Sequence, residues 1–177
     1  MPGDNVSIRD ATEGDPAWIQ AIYAHYVNHG LASFGEMPPN IAKISRRRDT
    51  ACDHDLSYLV AEKDGTVQGF AYASLFRGRP AYRYTIEDSV YIAPDALGAS
   101  VGSAPLSTPI EQCAERGFRQ MIVVIGDSAN QASIGLHAKH GFVKAGLTPS
   151  VGFKFSHWVD SFSTQQPLGL GDTTPPE

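Results

Sequence analysis

The stretch NQASIGLHAKHGF, Asn130–Phe142, decides how the chain is read. The side-chain oxygen of an Asn such as Asn130 caps a helix well. Ala129 to His140 then reads as helical, and Gly141 supplies the residue type that ends helices in the left-handed conformation. Just upstream, Met121–Ile125 reads MIVVI, a short all-apolar run typical of a strand buried on both faces. A buried strand that feeds a capped helix is one unit of an α/β sheet.

The flanking sequence fills in the other units. Val6 and Ile8 alternate with polar neighbours and predict a short strand. Asp15 is placed to cap a helix, with Pro16 at its first position, where a missing N–H costs nothing. Ile19, Ile22, Tyr23, Tyr26 and Val27 give that helix one apolar face, and Gly30 ends it. Leu31–Pro39 must be a loop because of its Gly and paired prolines. A more polar helix covers Ile41 to about Ala51. Leu56–Glu62 and Thr66–Leu75 predict two strands around Lys63-Asp64-Gly65, a hairpin signal. Tyr84–Ile92 predicts a strand whose alternation is broken by Glu87 and Asp88. Phe142–Gly146 and Val151–Val159 close the pattern as strands. The order β-α-α-β-β-β-α-β-α-β-β implies an α/β fold: a mixed sheet with helices on both faces.

Composition bounds the rest. The 177 residues suit one domain, expected to span 1–168, with a polar, Pro-rich tail over 169–177 expected to be disordered. Hydrophobic residues make up 42% and charged residues 19%, as in a globular protein. The net charge of −5 argues against a nucleic-acid partner. No apolar run approaches the ~20 residues that span a bilayer, so no membrane partner is expected. Two cysteines form no disulfide framework and fit a reducing cytoplasm, and the scattered histidines give no metal-site spacing. The basic run Arg46-Arg47-Arg48 has acidic neighbours and reads as a solvated helix face.

The element order resembles the GCN5-related N-acetyltransferase (GNAT) superfamily, and several stretches resemble its phosphinothricin and methionine sulfoximine acetyltransferase branch. Asn130, Ser133, Leu136, His137, Gly141 and Phe142 match the superfamily pattern in the opening stretch. Branch-like pieces are SFGEMPP (Ser33–Pro39), FRGRPAYRYTIEDSVYI (Phe76–Ile92) and VGFKFSHWVD (Val151–Asp160). The resemblance covers roughly Val6–Leu168. It implies an N-acetyltransferase that moves acetyl from acetyl-CoA, without a metal, to the amine of a small amino-acid-like acceptor. It also implies a homodimer.

Direct transfer makes three demands. The ammonium must lose a proton to free its lone pair, the tetrahedral oxyanion needs a donor, and the leaving thiolate needs an acid. On alternation alone, Glu87 reads as a solvent-facing strand residue, with Asp88 on the opposite face. The resemblance makes Glu87 the general base, a role that a partly buried carboxylate of raised pKa would suit. His137 stands where many relatives place a thiolate-protonating Tyr; a packed helix histidine is the other reading. Asn130 and Ser133 fall at pantetheine-binding positions, and a helix cap is a compatible role for Asn130. The backbone of Val90-Tyr91-Ile92 would pair with the pantetheine arm as an added strand. Arg77 and Arg79 suit anionic groups of the acceptor, Tyr82 an aromatic wall, and Phe34 and Glu36 come from the loop that lines the acceptor site in relatives.

The implied pyrophosphate loop is Leu97-Gly98-Ala99-Ser100-Val101-Gly102. Its backbone amides and the next helix would hold the anion. Gly102 fits the pattern, whereas Ser100 replaces a signature Gly and Leu97 a Gln or Arg. Pro109, in the helix that follows, should cost ~3 kcal/mol unless that helix kinks or starts late. These departures motivate an alternative: a GNAT-fold protein with weakened or lost CoA binding, kept for ligand binding or regulation.

Overall fold

The computed structural model describes residues 6–97, 101 and 104–176, the side chains of 104 and 105 excepted. Four helices and seven strands follow the expected order: β1 (Ser7–Asp10), α1 (Pro16–His29), α2 (Ile41–Asp53), β2 (Tyr58–Lys63), β3 (Thr66–Leu75), β4 (Thr85–Ile92), α3 (Ala104–Glu115), β5 (Gln120–Gly126), α4 (Gln131–Lys139), β6 (Val143–Lys154) and β7 (His157–Pro167). One sheet runs β1-β2-β3-β4-β5-β7-β6. All its pairings are antiparallel except β4 with β5. The expected mixed α/β fold is therefore present.

Register assigns the faces, because side chains directly opposite in a ladder project the same way. Tyr58 opposes Tyr72, Val60 opposes Phe70, and Phe70 opposes Tyr91. The rings of Phe70, Tyr72 and Tyr91 stack on this face, and Tyr23 and Tyr26 of α1 close on Tyr91 at 5.1 and 5.4 Å. Such pairs add about 0.5–1.5 kcal/mol each beyond area burial. The face carrying Asp88 receives α3 and α4: Cys113 senses the Asp88 charge, and His137 sits beside it. Helices thus cover both faces.

Several local expectations need correction. Asp15 precedes α1 but does not cap it with its side chain. Its carboxylate instead accepts from both terminal nitrogens of Arg9 at 2.8 and 2.9 Å and from the Thr12 amide at 2.7 Å. A bidentate guanidinium outcompetes a helix-end amide. The expected strand Val151–Val159 contains a reversal. Phe155 and Ser156 take φ of 51° and 62°, closing the β6–β7 hairpin without glycine. No residue type announced that turn. The Lys63-Asp64-Gly65 hairpin is as expected, with φ of 51° and 75° at Asp64 and Gly65. α3 forms with Pro109 inside it, which leaves the Pro105 carbonyl without its intrahelical donor. In the tail, Arg119 donates to the Gly171 and Pro175 carbonyls.

The Arg9 pair holds the Asp15 carboxyl down to about 2. A depressed carboxylate stabilises the fold above its unfolded pKa of about 3.9 and loses that contribution as pH falls toward about 2. Asp15→Asn should therefore cost about 1–2 kcal/mol at pH 7, allowing for the solvent-exposed side of Arg9. The loss should fade below about pH 3 in urea-unfolding curves.

Candidate active site

The parallel pair β4–β5 separates part-way along. Pairing runs from Thr85↔Gln120 to Asp88↔Val123 and stops, although β4 continues to Ile92 and β5 to Gly126. Beyond that point β5 pairs only with β7, and the β5-facing backbone of Ser89–Ile92 has no strand neighbour. A narrow slot of about 40 Å³ fills the gap, lined by Ser89, Tyr91, Val124, Gly126, Asn130 and His137 among others. It adjoins a groove of about 570 Å³ between α4 and the end of β4.

The end of β5 is held by a loop crossing over it. A Cβ on Gly126 would lie 2.1 Å from the Leu31 carbonyl oxygen, so only glycine fits. Lys154, at the end of β6, is 5% exposed and donates to the carbonyls of Gly30 at 2.8 Å and Ser33 at 2.7 Å. Burial lowers its pKa. Phe34 lies where a Cβ on Gly152 would be 2.6 Å from its ring. Two glycines and one buried lysine therefore fix the loop that carries Phe34 and Glu36.

Glu87 and Asp88 project to opposite faces, as their alternation predicts. Glu87 is half-buried, and burial together with the Asp88 charge raises its pKa. Asp88 is fully buried; desolvation pushes its carboxyl up and His137 opposes that. His137 Nδ1 donates to the Ser133 carbonyl at 2.7 Å, which leaves Nε2 facing Asp88 Oδ2 at 3.8 Å. His137 Nε2, both Asp88 oxygens and the Thr164 hydroxyl are buried without a hydrogen-bond partner. The ring is packed beneath the sheet, edge-on to Phe142, rather than open to solvent.

The other expected residues divide by position. Asn130 caps α4, accepting from the Ser133 amide at 3.2 Å, and both residues line the slot and the groove. Val90 and Tyr91 line the same two spaces; the Ile92 carbonyl already accepts from the Tyr26 hydroxyl at 2.6 Å. Leu97 is exposed at the groove edge. Val101 is buried with Ala61, Ile92 and Ala96, so its side chain belongs to the core. Gly98, Ala99, Ser100 and Gly102 lie outside the described residues. Arg77 stacks on Phe76 and Tyr82 and donates to the Tyr82 hydroxyl at 3.3 Å. Arg79 is exposed just before the 3-10 turn Pro80–Tyr82.

Sequence reasoning missed Tyr26 and Gly126. Tyr26 was read only as part of an apolar helix face. Gly126 carried a signal, a glycine directly after a buried strand. Among the described residues no helix is long and apolar enough to cross a membrane, and no three His, Cys, Asp or Glu residues are grouped to hold a metal.

The Acetyltransferase (GNAT) family profile matches residues 20–142. The chain is 52% identical over 171 residues to a phosphinothricin N-acetyltransferase of Alcaligenes faecalis, covering 97% of this chain and 87% of that protein. It is 37% identical to an L-methionine sulfoximine/L-methionine sulfone acetyltransferase of Pseudomonas aeruginosa, covering 88% and 91%. Its structure matches that of a GNAT superfamily phosphinothricin acetyltransferase from Sinorhizobium meliloti in complex with AcCoA. That match has a TM-score of 0.94 and 42% identity, over 97% of this chain and 93% of that one.

Gly126→Ala must displace the Leu31 carbonyl and should cost about 1–3 kcal/mol. Lys154→Met keeps the volume but strands two carbonyls, at about 2–4 kcal/mol. Both variants should show faster hydrogen exchange at the backbone amides of the 30–35 loop than the parent protein.

Proposed function

The chain belongs to the acetyltransferase (GNAT) family, and from that premise we propose an acetyl-CoA-dependent N-acetyltransferase whose acceptor is the amine of a small amino-acid-like molecule of the phosphinothricin or methionine sulfoximine type. The observation that carries this reading is the parting of β4 and β5 beside the capped N-terminus of α4. The β5-facing backbone of Ser89–Ile92 offers a strand edge to an extended pantetheine arm. Asn130 and Ser133 stand beside that edge, and the groove along α4 reaches Leu97.

Bound acetyl-CoA supplies an acetyl thioester. Glu87 takes the proton from the acceptor ammonium; its raised pKa suits a base working near neutral pH. Backbone N–H groups in the gap between β4 and β5 are suited to hold the oxyanion. His137, which lines the slot with its Nε2 turned toward Asp88, is the group assigned to protonate the departing thiolate. Phe34, Glu36, Arg77, Arg79 and Tyr82 contact the acceptor. The alternative of a GNAT fold without transfer is not favoured: the relatives matching nearly the whole chain are named as acetyltransferases, and α3 forms despite Pro109.

The protein is proposed to be a cytoplasmic homodimer. β6 is an edge strand, and Leu147, Val151, Phe153 and Phe155, together with Trp158 of β7, are exposed around the hairpin end. A cluster of that kind on a protein of this size calls for a partner surface. Sedimentation should give twice the 19.1 kDa chain mass, and Trp158→Glu should shift the equilibrium to monomer.

Calorimetric titration with acetyl-CoA, followed by thiol-release assays over an amino-acid panel, tests the activity. Absence of binding at millimolar acetyl-CoA would overturn it. Glu87→Gln should lower kcat ~100- to 10,000-fold and change the acceptor KM far less. In the parent enzyme kcat should fall on acidification through a pKa above the ordinary Glu value of about 4.3, and that limb should vanish in the variant. An unchanged kcat would remove Glu87 from the role.

A further inference from the structure

β2 begins at Tyr58, opposite Tyr72, so Ala73–Leu75 of β3 run on past it. α2 stands alongside that overhang, and the space between them is a cavity of about 660 Å³. One wall carries the cations Lys43, Arg46 and Arg47 of α2, with the C-cap residue His54 beside them. The floor is Tyr72 and Ser74.

The basic run Arg46-Arg47-Arg48, read from sequence as a solvated face, is divided by the structure. Arg48 alone is tied to an acid, Asp49, at 2.7 Å. Among the described residues Lys43, Arg46 and Arg47 form no ion pair. Arg47 is half-buried and held 5.3 Å from the Tyr23 ring centroid, so its guanidinium is positioned before any anion arrives. Three unpaired cations on one wall of a cavity, in a chain of net charge −5, form a local field that favours an anion.

The cavity also adjoins the proposed base. Ser74 is the direct ladder partner of Glu87, so the two side chains share a face and their Cβ atoms lie about 5 Å apart. The Tyr72 phenol senses both the Arg47 and the Glu87 charges.

We propose that this cavity seats a second negative charge of the acyl acceptor. An amino acid whose side chain ends in a phosphinate or carboxylate places its amine at Glu87 and that terminal anion against Arg46, Arg47 and Lys43. The inference rests on the acetyltransferase reading and deepens it: acceptors with an anionic side chain are favoured over neutral ones of similar length. Arg77 and Arg79, beyond the end of β3, are left to the α-carboxylate. Guanidinium forks suit a phosphinate or carboxylate bidentately, whereas a sulfone offers no charge to match.

The test compares phosphinothricin, with its anionic side chain, and methionine sulfone, with its neutral one. The full-length protein is used, as parent, Arg46→Gln/Arg47→Gln and Arg46→Lys/Arg47→Lys. The ratio of kcat/KM for phosphinothricin over methionine sulfone should fall roughly tenfold or more in the Gln variant and be partly recovered in the Lys variant. In the parent, added salt should raise the phosphinothricin KM more than the methionine sulfone KM. Calorimetric binding of the two compounds to the same proteins, without turnover, supplies an independent arm. If neither compound is acetylated although acetyl-CoA binds, the acetyltransferase reading fails for these acceptors, and the calorimetric arm still decides the cavity. A phosphinothricin affinity that is unchanged in the Gln variant, or undetectable at millimolar concentration in the parent, overturns the inference.

Discussion

Everything distinctive in this molecule depends on two parallel strands being forced to stop pairing. β4 and β5 share four register pairs and then part. A sheet does not give up hydrogen bonds without a cause, since each unpaired backbone group costs about 1–3 kcal/mol when buried. The Leu31 carbonyl occupies the space next to Gly126, and Lys154 fastens that loop from the far side. The strand end is thus braced by covalently distant pieces of chain, and the exposed edge of β4 is left for a ligand to complete. A structural fault and a binding site are the same object here.

The second consequence lies in the adjacent carboxylates. Glu87 and Asp88 differ in one residue of register, and strand geometry sends them into different environments. Glu87 lies half-buried on the face where α1 and α2 leave an opening. Asp88 is sealed beneath the sheet with His137. Burial raises both pKa values, but the two groups can do different work. A base must reach the substrate, which is why the half-buried Glu87 rather than the sealed Asp88 is proposed for that role. Asp88 can act only through what touches it, and the closest ionisable group is the imidazole of His137, whose other nitrogen is committed to the Ser133 carbonyl. The ring is therefore anchored through Nδ1, with Nε2 turned toward Asp88 at 3.8 Å.

Much of this was legible beforehand where one residue type has one dominant physical use. Asn130 and Gly141 framed α4, Asp64-Gly65 made a hairpin, and MIVVI was a buried strand. Glu87 and Asp88 were assigned opposite faces from alternation alone. The failures have a common cause, which is competition from partners distant in sequence. Asp15 looked like a helix cap until Arg9 claimed its carboxylate. Phe155-Ser156 turned a hairpin with side chains that carry no turn preference, because the paired strands on either side enforce it. Val101 sits inside the implied anion loop, and its side chain is buried in the core, a position compatible with a backbone contact only. Lys154 looked like any strand lysine, and nothing local marks a lysine that will be buried against two carbonyls.

The distribution of cations sharpens the last point. The chain is net acidic, and its implied phosphate loop contains no Lys or Arg, so anion binding there must draw on backbone amides and helix termini. Its positive side chains are placed elsewhere: Lys139 beside the groove, Lys154 inside the loop brace, and Lys43, Arg46 and Arg47 around the cavity next to β3. Backbone amides recognise any phosphate of the right shape, because they carry no side chain to tune. Side-chain cations can be gained, lost or re-aimed by single substitutions. On the proposed reading, the co-substrate is held by backbone groups of the fold, and the side chains of α2 add to the choice of acceptor. Differences in acceptor among chains of this fold should then be sought on α2, rather than in the loop that holds the acetyl donor.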